Sequence, residues 1–308
     1  MLLQVTHETR YDYTPPVKTA QHMAHLRPLD SPRQKLLGHT LEISPLPEQQ
    51  SDSEDAYGNI RTLFSLRSAH DRLEVVARSV VETSAPARST NLVAWDSVRE
   101  QMRYHREASY DPAAEFVFAS PHVPRHPEFL AYAQTSFSPG RPMLQAAREL
   151  MDRIHADFEF EDSATDVATP ALEAFEMRKG VCQDFAHIML ACLRSLMLPA
   201  RYVSGYLLTE PPPGKPRLVG SDASHAWVSV YLPEAEGAGQ WVDLDPTNGR
   251  APADDYVTIA TGRDYSDVSP LRGVIRGGAR HELRVAVTVA PIAASTISAA
   301  LPHSKGFT

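Results

Sequence analysis

The stretch Gly180-Val181-Cys182-Gln183-Asp184-Phe185-Ala186-His187-Ile188-Met189 decides how the chain is read. From here apolar side chains recur at Phe185, Ile188, Met189, Cys192, Leu193 and Leu196, the stripe of a helix with one face in a core, and Pro199 ends it. The spacing predicts a helix beginning near Cys182, so this thiol stands in the first turn. Backbone N–H groups there have no partner inside the helix and the positive end of the dipole lies close, a setting that favours thiolate over thiol. The same N–H groups can receive an oxyanion during acyl transfer, and Gln183 adds an amide or backbone donor for it. The competing reading of Cys182 is a small buried hydrophobe, because its spacing to Phe185 and Met189 puts it on the core side. Cys192, mid-helix among apolar neighbours, fits that second reading.

Helical patterning extends upstream. Met143, Leu144, Ala147, Leu150, Met151, Ile154 and Phe158 form one stripe, Thr169-Pro170 marks a second helix start, and Gly180 reads as its left-handed stop. Downstream, residues 201–208, 225–232, 241–244 and 282–289 read as strands, with Pro211-Pro212-Pro213-Gly214 as a loop. Alternation in Ser224-His225-Ala226-Trp227-Val228-Ser229-Val230-Tyr231 sets His225, Trp227, Ser229 and Tyr231 on one face, so Trp227 can shield His225 from water. In Trp241-Val242-Asp243-Leu244-Asp245-Pro246-Thr247 the residues Trp241, Asp243 and Asp245 share a face. A turn within 233–237 would place Asp245 opposite His225 in an antiparallel pair. Taken alone, Asp245-Pro246 reads first as the start of a turn. Thiol, imidazole and carboxylate supply a nucleophile, a proton carrier and a group that orients the ring, with Asp243 and Asp245 both eligible for the last role.

The first ninety residues read differently. Leu3-Gln4-Val5-Thr6, Thr40-Leu41-Glu42-Ile43, Thr62-Leu63-Phe64-Ser65-Leu66 and Leu73-Glu74-Val75-Val76-Ala77 are strand-like, separated by Pro15-Pro16, Asp30-Ser31-Pro32 and Tyr57-Gly58-Asn59 as turns. The expected class is α+β. An antiparallel β-sandwich over 1–90 is followed by a connecting segment with short helices over 91–140, a core over 141–290 and a flexible tail over 291–308.

A chain of 308 residues with 43% hydrophobic and 22% charged residues has ample material for a core. Thirty basic against thirty-eight acidic residues, a net charge of -8, disfavour nucleic acid or an anionic membrane as partner. The first eight residues lack the pattern of a signal peptide and no apolar run is long enough to span a bilayer, so the expectation is a cytoplasmic protein. Two cysteines make no disulfide framework, and no metal-binding or phosphate-loop motif is present, so neither metal nor cofactor is expected.

The pattern Gly-x-Cys-x-x-x-Ala at Cys182, His-Ala-Trp at His225 and Trp-x-x-x-Asp-Pro-Thr at Asp245 resembles the transglutaminase-like superfamily over roughly residues 165 to 250. That resemblance implies a papain-like transglutaminase core with the cysteine helix packed on an antiparallel sheet. It selects Asp245 over Asp243, and implies Cys182, His225 and Asp245 as catalytic triad. The pattern His7, Thr9, Tyr11, Tyr13 resembles the domain preceding this core in bacterial members, and Gly262-Arg263-Asp264-Tyr265-Ser266-Asp267-Val268-Ser269-Pro270 looks like theirs too. Those proteins are described as transglutaminase-like enzymes or candidate cysteine proteases. The implied chemistry is acyl transfer on a peptide or amide substrate through a thioester, with hydrolysis preferred. The alternatives are aminolysis by a transglutaminase or other amine acyltransferase, acyl transfer from a carrier thioester, and a catalytically silent binding module that keeps the fold.

Overall fold

In the computed structural model, which describes residues 1–103, 106, 110–209, 224–234, 239–293 and 295, one long strand organises the N-terminal region. Leu3, Val5, His7 and Thr9 alternate inward along β1 (Leu2–Ala24). The next strands are β2 (Gln34–Ser44), β3 (Gln49–Glu54), β4 (Ile60–Leu66) and β5 (His70–Thr83), in the spatial order β2-β5-β1-β4-β3. Pro15-Pro16 does not end β1 in a turn. The register breaks there, and the strand changes partners around residues that offer no N–H to a ladder. Tyr13 and Val17 of β1, Phe64 and Leu66 of β4, and Leu73 and Val75 of β5 close on one small core, so a single antiparallel sheet folds over itself. β3, polar and exposed, carries no alternation by which its sequence could be recognised.

After β5 come α1 (Trp95–Gln101), a 3-10 turn over Pro112–Val117, α2 (Pro127–Gln134), α3 (Met143–Asp157), the short pair β6 (Glu159–Phe160) and β7 (Lys179–Gly180), α4 (Ala171–Met177) and α5 (Cys182–Ser195). A second antiparallel sheet runs β10 (Gln240–Leu244), β9 (Ser224–Leu232), β8 (Ala200–Leu207) and β11 (Tyr256–Gly262). Residues 183–194 of α5 are all buried, against β8 and β9 on one side and α2, α3 and α4 on the other. A helix covered on every side is a core element, and each buried Leu, Ile or Phe contributes about 1.5–3 kcal/mol.

The chain then returns. After α6 (Tyr265–Val268), β12 (Leu271–Gly277) and β13 (Arg280–Pro291) both pair with β1, β13 against residues 3–14 and β12 against residues 17–24. This corrects the expectation that 141–290 forms the core and 1–90 a separate domain. A strand's own pattern does not name its partner, and the last twenty residues of that span complete the N-terminal sheet. The two regions also share a core, in which Leu3, Val5, Val81, Val287 and Val289 pack with α3 and α5. Gln34 and Asn59 seal the edge of β11, each side-chain amide bonding a backbone N–H and C=O, at Thr258 and Thr261 respectively.

The expected loop 211–214, residues 235–237 of the expected turn, and the expected tail apart from 291–293 and 295 lie outside the described residues. No helix among the described residues is long and apolar enough to cross a membrane.

Candidate active site

Cys182 opens α5 because the chain before it cannot be helical. α4 ends at Arg178 in the left-handed region (φ 57°), two residues before the expected stop at Gly180, and Lys179 to Val181 run extended. Gly180 is required for another reason. A Cβ there would lie 2.5 Å from Oδ2 of Asp184, the carboxylate that folds back to accept the Val181 N–H at 2.8 Å and the Thr165 hydroxyl at 2.6 Å. Asp184 thus closes the first turn, and its burial raises its proton affinity above the ordinary carboxylate range despite those bonds.

Cys182 is half-buried, with Sγ 4.0 Å from the Ser224 carbonyl oxygen. Cys192, ten residues on, is fully buried, and burial pushes its thiol well above the ordinary range. His225, second residue of β9, hydrogen-bonds through Nε2 to Oδ2 of Asp245 at 2.7 Å and lines the same cleft as Cys182. Burial opposes a proton on this ring. The bonds and charges of Asp245 and Cys182 outweigh burial and push its pKa up to about 10.

The carboxylate reaches His225 by a route other than direct opposition. β10 and β9 pair with Leu244 across from Val228 and Asp243 across from Ser229, so the register would carry Asp245 to Trp227. Instead the chain leaves the strand at Asp245, which bridges to Arg250, and the carboxylate swings diagonally to the ring. Both sequence readings of Asp245-Pro246 therefore describe real bonds. Oδ1 accepts the N–H groups of Thr247 at 2.9 Å and Asn248 at 3.2 Å as a turn residue does, while Oδ2 holds His225. Oδ2 also accepts from Asn248 Nδ2 and from the Tyr256 hydroxyl, each at 2.7 Å. Burial alone would raise this fully buried group, but these donors, His225 first, lower its pKa below the ordinary value. Asp243 is engaged elsewhere, 2.6 Å from Arg33.

Trp227 is buried, its ring 6.1 Å from that of His225 and edge-on to Tyr256 at 5.3 Å, so it backs the imidazole and does not roof the cleft. Trp241 is half-buried and lies under the Arg201 guanidinium at 4.3 Å. The Gln183 amide donates to the Val167 carbonyl at 3.3 Å, which occupies the side chain proposed for an oxyanion. Its backbone N–H and that of Cys182 stand at the first two positions of α5, ahead of the intrahelical ladder. Asn248 and Tyr256 escaped sequence reasoning. Asn248 had a signal, three residues past an Asp-Pro turn, whereas nothing in its sequence links Tyr256 to Asp245.

Cys182, Gln183 and His225 line a cleft of about 420 Å³, whose other walls include Val167, Tyr202, Tyr265, His7, Thr9 and Tyr11 of β1, and Leu283, Val285 and Val287 of β13. A larger cavity, about 920 Å³, is lined by Tyr57, Phe116, Arg201, Tyr231 and Trp241 and touches none of the three. Among the described residues no group of three or more His, Cys, Asp and Glu side chains converges as a metal ion would require.

The family model of the bacterial transglutaminase-like N-terminal region matches residues 3–82, and that of the transglutaminase-like superfamily matches residues 131–246. An uncharacterized protein of Mycobacterium tuberculosis is 37% identical over 302 residues, covering 96% of this chain and 95% of its own length. One from Mycobacterium leprae is 30% identical over 297 residues, covering 94% and 99%. The crystal structure of a candidate cysteine protease from Cytophaga hutchinsonii shares the fold, with a TM-score of 0.73 at 20% identity, over 94% of this chain and 90% of that one. The chain belongs to the transglutaminase-like superfamily, joined to that superfamily's bacterial N-terminal region.

Proposed function

We propose that the protein is a cysteine-dependent hydrolase of peptide or side-chain amides, acting through Cys182, His225 and Asp245. The observation that carries this is the His225 imidazole bonded to the Asp245 carboxylate at 2.7 Å in the cleft it shares with Cys182, a setting that pushes its pKa up to about 10. The Cys182 thiolate attacks the amide carbonyl. The oxyanion is met by the first-turn N–H groups of α5. The imidazolium gives its proton to the leaving amine as the C–N bond breaks, which leaves a thioester on Cys182 and a neutral ring. Water then loses a proton to His225 and attacks the thioester; its collapse releases the acid and restores the thiolate–imidazolium pair. Asp245, anchored by Asn248 and Tyr256, keeps the ring aimed at Cys182 throughout. Aminolysis would demand a site that positions an amine against water at roughly 55 M, and hydrolysis demands none.

The test is alkylation by iodoacetamide, read at each cysteine by mass spectrometry in wild type and His225→Ala. The expected result is rapid labelling of Cys182 that the variant loses, with Cys192 slow in both. Equal, slow labelling of the two cysteines in the wild type would sink the reading in favour of a silent binding module. Adding a primary amine to a peptide reaction then separates acid product from amide product.

A further inference from the structure

One wall of the cleft is built from the first strand of the chain and the last. His7, Thr9 and Tyr11 of β1 lie directly across from Val287, Val285 and Leu283 of β13, and all six line the cleft, so one face of a two-stranded ribbon looks onto the reacting groups. The face changes character along its length. At the bottom His7 and Val287 are buried, and the His7 ring bridges the hydroxyls of Thr9 at 3.0 Å and Tyr206 at 2.9 Å. At the mouth Leu283 is 48% and Val285 51% exposed, and Val167 on the other rim is 56% exposed. Three large aliphatic side chains left open around one cleft stand ready to be covered when the cleft is occupied. Among the described residues no Lys, Arg, Asp or Glu lines this cleft. A charged side chain resting at the mouth, beside Leu283, Val285 and Val167, would give up water with no Lys, Arg, Asp or Glu of the lining to receive it.

We propose that this ribbon face selects the acyl donor, and that the donor is a peptide with an apolar, uncharged side chain beside the reacting amide, received by Leu283 and Val285. The proposal rests on the acyl-transfer reading of Cys182 and names its substrate class. The N-terminal sheet is then part of the specificity of the site as well as a support for the core.

The test uses two matched peptide vinyl sulfones that differ only in Leu or Asp next to the electrophile. The thiolate adds across the vinyl group and the resulting carbanion takes a proton, so no amide need turn over. Rates of addition to Cys182 are normalised to iodoacetamide labelling of the same residue, in wild type and in Leu283→Glu/Val285→Glu. In the wild type the Leu probe should react about tenfold faster or more, the scale set by burying one aliphatic side chain. In the double variant that preference should vanish or invert. Equal normalised rates in the wild type overturn the proposal, as does a preference undiminished in the double variant. Cys192 staying unlabelled reports that the variant is folded; if it is not, Leu283→Ser carries the same comparison. Failure of the acyl-transfer reading would look different, as peptide amides left intact by a protein that still adds the probes.

Discussion

Two histidines line the same cleft from different strands, and their environments drive them in opposite directions. His225, bonded to the Asp245 carboxylate in the cleft it shares with Cys182, has its burial overcome by these two groups, which push it up to about 10. His7, on the ribbon wall, meets only two hydroxyls, and its burial lowers it to about 4. A neutral ring has one N–H and one lone pair, enough to serve both hydroxyls, so nothing around His7 favours a second proton. Burial lowers the proton affinity of both rings; the charge of the partner decides which of them holds its proton more tightly than usual. The lesson is that the proton affinity of His225 is set by Asp245 at least as much as by the imidazole.

The strongest way to break the contrast is to make His225 resemble His7. Asp245→Asn removes the charge and keeps the shape. Amide turnover should fall by about 10⁴, and the alkaline limb of the pH–rate profile, expected near 10 in the wild type, should move down toward the ordinary imidazole value. A limb that stays in place would mean that another group supplies the proton. Cys182→Ala should remove turnover at least as completely while the thermal midpoint stays within a few degrees, since the sulfur is half-buried.

The other side of the contrast concerns stability. His7 has a depressed pKa, so it binds its proton more readily in the unfolded chain. Its neutral form contributes stability that is fully present above about 6.5 and is lost as pH falls through about 4. The contribution is on the order of 3 kcal/mol. Denaturant midpoints measured between pH 7 and 4 should therefore fall more steeply in the wild type than in His7→Gln. Parallel slopes would show that His7 takes up its proton without opening the wall.

Much of this pair of walls could be read in advance, but unevenly. The start of α5 at Cys182 and the strand bearing His225 follow from local periodicity, which needs only neighbours in sequence. Choosing Asp245 over Asp243 needed a family pattern. Both residues have carboxylates on one strand face, and what separates them is Arg33, 210 residues from Asp243 and bonded to it. Gly180 announced an interruption for the wrong reason, since the close carboxylate of Asp184 and not a helix cap requires it. The ribbon wall was out of reach. β13 alternates like any half-buried strand, and nothing in residues 280–291 says that its partner is the first strand of the chain. Local sequence encodes the elements; pairing between the first strand of the chain and the last is settled by what each strand can cover.

The smallest expected effect separates charge from position within the proposed triad. Tyr256 donates to the same Asp245 oxygen that holds His225, alongside Asn248. Tyr256→Phe deletes one hydroxyl from the inner wall and leaves the carboxylate ionised with its other donors. A single hydrogen bond to a charged group is worth about 1.5–3 kcal/mol, part of which the remaining donors recover, so turnover should fall about fivefold to tenfold. The alkaline limb should not move down, because fewer competing donors leave more of the carboxylate's charge to His225. Asp245→Asn shifts the limb, and Tyr256→Phe should slow the reaction without shifting it. If Tyr256→Phe instead lowers the limb, Tyr256 acts on the proton affinity of the ring, and the clean division between a charged partner for His225 and neutral partners for His7 would have to give way to one in which a phenol also tunes the acid.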